Sequence, residues 1–127
     1  MDKFVSDLSP KTPFIDFDPQ TGIFEMRGKS IPENSVLFYK PLWEWLEGYF
    51  QNPSKSTTLN IQLDYFNTSS SKCVVDLFKK LELFSKKGNK VEINWMYNID
   101  DDDMLEAGED YKSIIKVPFN LISFEKP

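Results

Sequence analysis

The sequence contains no histidine. That single absence removes Ser-His-Asp and Cys-His nucleophile pairs, imidazole general bases and the usual zinc ligand sets. One cysteine, Cys73, stands among 127 residues. It cannot form an internal disulfide, and its place on an apolar helical stripe marks it as core rather than as a reactive thiol. No apolar run approaches the roughly 20 residues of a membrane-spanning helix, and Met1-Asp2-Lys3-Phe4 lacks the basic start and apolar core of a secretory leader. Basic residues are outnumbered, 15 Lys and Arg against 20 Asp and Glu, for a formal net charge of -5. This balance argues against nucleic-acid binding and against a polybasic membrane anchor, both of which draw on cationic side chains. The expectation is a cytoplasmic, non-enzymatic protein without cofactor or metal, whose partners are other proteins.

What is present suffices for one folded domain. Hydrophobic residues make up 40% of the chain and aromatic residues 15%, enough for a sizeable core at this length. Residues 1–12 are polar, contain Pro10 and show no period, so they read as a loosely held arm, with the domain spanning residues 13–127. Phe14-Ile15-Asp16-Phe17 and Ile23-Phe24-Glu25-Met26-Arg27 form a hairpin across a turn rich in breakers. Val36, Leu42, Trp45, Leu46, Tyr49 and Phe50 recur at helical spacing after a cap at Asn34 or Ser35, with a kink or restart expected at Pro41. Thr57 to Phe66 alternates strictly, placing Leu59, Ile61, Leu63 and Tyr65 on one face, and Val91 to Tyr97 repeats the pattern. Alternation means one packed and one wet sheet face. Between them, residues 69–86 form the clearest helix, closed by Lys86, Lys87 and Gly88. A short helix over Asp101 to Tyr111 and a last strand over Ile114 to Phe124 follow, with Pro118 pushing that strand to an edge. The fold class is α/β, with a mixed sheet of about five or six strands and helices mainly on one face.

The strand-to-helix junction Asn67-Thr68-Ser69-Ser70 is the most informative stretch. Asn, Ser and Thr are ordinary helix N-caps, but one helix needs one cap. The surplus of hydroxyls at a site with free N–H groups and a partial positive charge suits reversible phosphorylation. Other candidates meet simpler explanations. The run Asp100-Asp101-Asp102-Asp103 resembles a calcium loop, but Asp103 falls where the sharp turn needs glycine, so these acids read as favouring a helix start. Trp45, Tyr49 and Phe50 fit a core stripe, whereas Trp43 falls off it and is a candidate for partner contact. Asp64 and Glu92 lie on polar strand faces with nothing to fix a catalytic separation.

Several blocks carry a family resemblance: Ile31-Pro32-Glu33-Asn34-Ser35, Trp45-Leu46-Glu47, Leu63-Asp64-Tyr65-Phe66-Asn67-Thr68-Ser69-Ser70-Ser71-Lys72, then Asp76, Val91 and Trp95-Met96-Tyr97. In this order they resemble the SiaC family of bacterial biofilm-regulation phosphoproteins. The resemblance implies a switch protein phosphorylated at Thr68, with Ser69 as the fallback acceptor, by a dedicated kinase and dephosphorylated by a PP2C-type phosphatase. It also implies that the unphosphorylated form binds and activates a diguanylate cyclase, raising cyclic di-GMP. Asn67, Ser69, Ser70, Lys72, Glu33, Asn34, Tyr65 and Trp43 are the partner-contact candidates. The junction is similar too to the Asp-Ser-Ser-Gly block of STAS-domain anti-sigma-factor antagonists, from which it departs by Asn67 for Asp and Ser70 for Gly. A single STAS-like domain is implied. The competing readings are a scaffold in which residues 67–70 merely cap a helix, and a small-ligand-binding module.

Overall fold

A computed structural model describes residues 1–126. In chain order its elements are β1 (Phe4–Ser6), β2 (Phe14–Phe17), β3 (Ile23–Ser30), α1 (Ser35–Tyr49), β4 (Thr57–Phe66), α2 (Thr68–Lys86), β5 (Val91–Asn98), α3 (Asp102–Ile114) and β6 (Phe119–Phe124). The six strands form one sheet in sequential order, β1 to β6. β1, β2 and β3 pair antiparallel, whereas β3 to β6 run parallel through α1, α2 and α3. Because each right-handed crossover steps the same way along the sheet, all three helices fall on one face. The expected mixed sheet with one covered face is the observed one.

The covered face is built by alternation. Phe24 and Met26 of β3, Leu59, Ile61 and Leu63 of β4, and Ile93 and Trp95 of β5 are buried against Leu42 and Leu46 of α1 and Val74, Leu77, Phe78 and Leu81 of α2. Cys73 is buried with them, as expected. The opposite face stays polar and satisfies itself. Asn60 donates to Glu25 (3.1 Å), Asn94 to Asn60 (2.8 Å) and Asn120 to Asn94 (2.9 Å), a ladder across four strands in register.

Four local expectations are corrected. Residues 1–12 are not without regular structure: β1 pairs with β2, and the Trp45 indole donates to the Asp2 carbonyl at 3.0 Å under the Phe4 ring. The aromatic payload of Trp45 is what holds this polar segment down. α1 runs unbroken through Pro41. Leu37 and Pro41 are both exposed, so the carbonyl deprived of its partner faces water. Residues 114–118 are not strand, since α3 extends to Ile114 and β6 starts only after Pro118.

The fourth concerns Tyr65. Strict alternation puts it on the buried face, yet it is 55% exposed. Gly28 pairs with Leu63 but Lys29 pairs with Tyr65, so Asp64 is an extra residue in β4. Such a bulge reverses the alternation beyond it. Phe66 therefore turns inward to meet Trp95 edge-on, with centroids 6.3 Å apart, and Tyr65 turns out.

At Gly108 α3 lies close against the sheet. A Cβ there would stand 2.5 Å from Trp95 Cδ1 and 2.8 Å from Leu121 Cδ2. Trp95 cannot retreat, being buried and donating from Nε1 to the Met104 carbonyl at 2.9 Å. Gly108→Ala is expected to destabilise by about 1–3 kcal/mol through overpacking, read as a lower urea midpoint at unchanged slope.

Candidate functional site

The N-termini of α1 and α2 meet at the carboxyl ends of β3 and β4. Asn34 caps α1, accepting from the Leu37 N–H at 3.1 Å, and Asn67 caps α2, accepting from the Ser70 N–H at 2.8 Å. Ser35, the first residue of α1, lies 2.8 Å from Ser69, the second residue of α2, oxygen to oxygen. Neither helix carries an acidic residue in its first turn, whereas α3 carries Asp102 and Asp103 there behind its own cap, Asp101. The positive ends of two helix dipoles thus converge at one spot with no carboxylate inside either first turn.

Beneath that spot the hydroxyls form a single file. Ser30 of β3 donates to Ser70 at 2.8 Å, and Tyr39 of α1 lies 2.6 Å from Ser30. A serine has one proton to give. Since Ser30 gives it to Ser70, Tyr39 must donate to Ser30. Ser70 then gives its own to Ser35 (3.3 Å), Ser35 to Ser69 (2.8 Å), and Ser69 to the Asn67 side-chain oxygen (3.1 Å). Tyr39, Ser30, Ser35 and Ser70 are buried. Burial raises the Tyr39 phenol well above its ordinary value, outweighing the hydrogen bond with Ser30, which pulls it the other way.

Thr68 stands outside this file. It is exposed at the first position of α2, and among the described residues its hydroxyl makes no hydrogen bond, although its carbonyl accepts from Ser71 at 2.7 Å. Lys72 is exposed one turn on, on the same flank of the helix.

A model of the SiaC family, described as the SiaC family regulatory phosphoprotein, matches residues 7–124. The chain belongs to the SiaC family. An uncharacterized protein of Pseudomonas aeruginosa (strain UCBPP-PA14) is 32% identical over 119 residues, covering 91% of this chain and 94% of its own length. Among solved structures, SiaC of Pseudomonas aeruginosa superposes with a TM-score of 0.90 at 28% identity, over 98% of this chain and 100% of that one. A crystal structure of the diguanylate cyclase SiaD in complex with its activator SiaC, from the same organism, contains a chain that matches at TM-score 0.90 and 28% identity, over 95% of this chain and 99% of that one.

Of the candidate residues, the structure gathers some and disperses others. Thr68, Ser69 and Asn67 lie together, with Ser35 beside them. Glu33, Lys72 and Tyr65 are exposed, and Asn34 caps α1. Ser70 is not a contact residue: it has 0% exposure and its hydroxyl ties β3 to both helices. Trp43 is half-buried, not open, and stacks on Tyr39 with centroids 6.3 Å apart. Glu92 pairs with Thr58, six residues before Asp64 on β4, about 20 Å away along the strand, so these two carboxylates form no site. Ser30 and Tyr39 were not anticipated. Ser30 shares the parity of Phe24 and Met26, which is the signal that places it inward.

The four buried hydroxyls and the exposed threonine should separate by mutation. Ser70→Ala leaves Ser30 without its acceptor and Ser35 without its donor, and is expected to cost about 1–3 kcal/mol, whereas Thr68→Ala is expected to stay within about 0.5 kcal/mol. Chemical denaturation of both variants checks this. Alkaline titration offers a second test. Burial, with Asp110 adding to it, raises the Tyr111 phenol from 10.0 to about 12, and Tyr39 is raised as well. The unfolded chain releases these protons first, so it binds fewer protons than the folded one above its own tyrosine pKa. Stability should fall as pH rises from about 10 to about 12, in step with tyrosinate absorbance.

Proposed function

We propose that this chain is a reversibly phosphorylated switch with Thr68 as acceptor, and that its unphosphorylated form binds and activates a diguanylate cyclase in the bacterial cytoplasm, in control of cyclic di-GMP and biofilm formation. A dedicated protein kinase and a PP2C-type phosphatase set its state. Family membership supports the regulatory and phosphoprotein character, and the complex of a SiaC with the cyclase SiaD supports the class of output partner.

One observation carries the choice of acceptor. Of the hydroxyls at the junction, Ser70 is buried and Ser69 both accepts from Ser35 and donates to Asn67, while Thr68 alone is exposed and unengaged. A kinase needs a free nucleophile in reach, and phosphorylating Ser69 would break two hydrogen bonds of the file. A phosphate on Thr68 meets the free N–H groups of the first turn of α2 and the positive ends of two helices whose first turns hold no carboxylate, so it is accommodated without refolding. The same dianion, covered by the apolar or acidic surface of a partner, must give up its water. A loss of roughly 4 kcal/mol is already about a thousandfold in affinity.

Phosphopeptide mass spectrometry on protein from its own host, joined to a cyclase pull-down and activity assay, tests this. Phosphate is expected at Thr68. Thr68→Ala should retain the cyclase and its activation, whereas Thr68→Asp should lose at least about tenfold in binding while its folded state gains about 0.3–1 kcal/mol from the helix dipole. The gain in stability separates a lost interface from a lost fold. An unmodified Thr68 in cells containing the kinase, with identical partners for all three proteins, would leave the junction as a cap and the chain as a scaffold.

A further inference from the structure

The sheet ends in two edges that differ in kind. β1 has three residues, with Asp2 and Lys3 before it and Asp7 after. A short edge flanked by charge resists pairing with another chain. β6 has six residues, Phe119-Asn120-Leu121-Ile122-Ser123-Phe124, without charge, proline or glycine. β2 to β5 each carry at least one charged residue. The customary placement is thus inverted, with charges on inner strands and none on this outer one.

Which backbone groups face outward follows from the register. The Ile93 N–H donates to the Pro118 carbonyl (2.9 Å) and the Ile99 N–H to the Phe124 carbonyl (2.8 Å). Even-numbered residues therefore point their backbone at β5, and Phe119, Leu121 and Ser123 point theirs away from the sheet. Among the described residues β6 pairs with β5 alone. Among the described residues beyond it, Lys126 reaches back across the open face to Asp64 at 3.4 Å, away from the free side. Ile122, 39% exposed on that face, is the apolar residue left beside the seam.

We propose that β6 is a self-association edge, on which a second copy of this chain adds its own β6 antiparallel about a twofold axis through Leu121, continuing the sheet across both molecules. The outward residues fit this register. Leu121 meets Leu121 of the second copy and Phe119 meets Ser123, each as a pair that exchanges both backbone hydrogen bonds, about six in all. On the open face Asn120 stands opposite Ile122. No like charges meet within the strands, and at both ends Glu125 comes beside Val117 and Lys116 of the other copy. The interface is small, so the association is weak and concentration-dependent. It stands independently of the role of Thr68.

Sedimentation velocity on the full chain, from about 1 μM to about 500 μM, should show movement from monomer towards dimer. Ile122→Lys puts two like charges at diagonal positions about 7–8 Å apart across the seam, and should weaken dimerisation at least about tenfold. Under mild oxidation Leu121→Cys should cross-link at least about tenfold faster than Ser123→Cys, although Ser123 is the more exposed, because only position 121 faces itself at about 5.5 Å between Cα atoms. The native Cys73 is buried and does not compete. A monomer throughout, a dimer unmoved by Ile122→Lys, or equal cross-linking rates would each overturn the proposal.

Discussion

Everything at the candidate site depends on a constraint of chain geometry: four parallel strands taken in sequential order and joined by right-handed crossovers. Stepping always in one direction puts α1, α2 and α3 on the same face. Each helix then begins where a strand ends, so the N-termini of α1 and α2 are brought side by side above β3 and β4. Two helices that start together concentrate unpaired N–H groups and partial positive charge in one place. The protein answers that concentration differently at its three helix starts. At α3 it uses carboxylates, Asp101 as cap with Asp102 and Asp103 behind it. At α1 and α2 it uses asparagine caps and neutral hydroxyls. The difference leaves this helix pair without a carboxylate in either first turn.

The file of hydroxyls from Tyr39 to Asn67 makes this arrangement rigid. Each member has one proton and spends it on the next, so the direction of the file is determined from end to end. Buried polar groups are costly when partly satisfied and specific when fully satisfied. Here they join β3, α1 and α2 through three serines that would otherwise be expensive in an aromatic core. The consequence for the surface is selective: of the hydroxyls at the start of α2, the file consumes Ser70 and Ser69 and leaves Thr68 out. A phosphate there, as proposed, would change charge at the rim of a fixed scaffold and so act on a partner without a conformational change of the chain itself.

Much of this was legible in the residues. Period-two alternation in Thr57 to Phe66 and Val91 to Tyr97, and helical periodicity in 69–86, are local signals, and both strands and helix lie where these signals put them. The same reasoning failed wherever a distant contact outweighed the local pattern. Tyr65 was misplaced because a bulge opposite Gly28 cannot be seen in β4 alone. The strand at Phe4–Ser6 was missed because three residues carry no period, and Trp45, forty residues on, holds it. Pro41 does not break α1, because packing of Tyr39, Leu42, Leu46 and Tyr49 on the sheet outweighs one lost hydrogen bond.

The sequence by itself determined the class of element at each long segment, the one-sided sheet, the absence of imidazole side chains, and the family, because these rest on residue type and on spacing along the chain. Only the tertiary structure decided which hydroxyl is free. Thr68, Ser69 and Ser70 are chemically near-equivalent in a string of letters. They become a helix-start threonine in water, a serine tied to Ser35 and a serine sealed beneath Ser30 once residues 34 to 40 positions apart in the chain are brought within hydrogen-bonding distance.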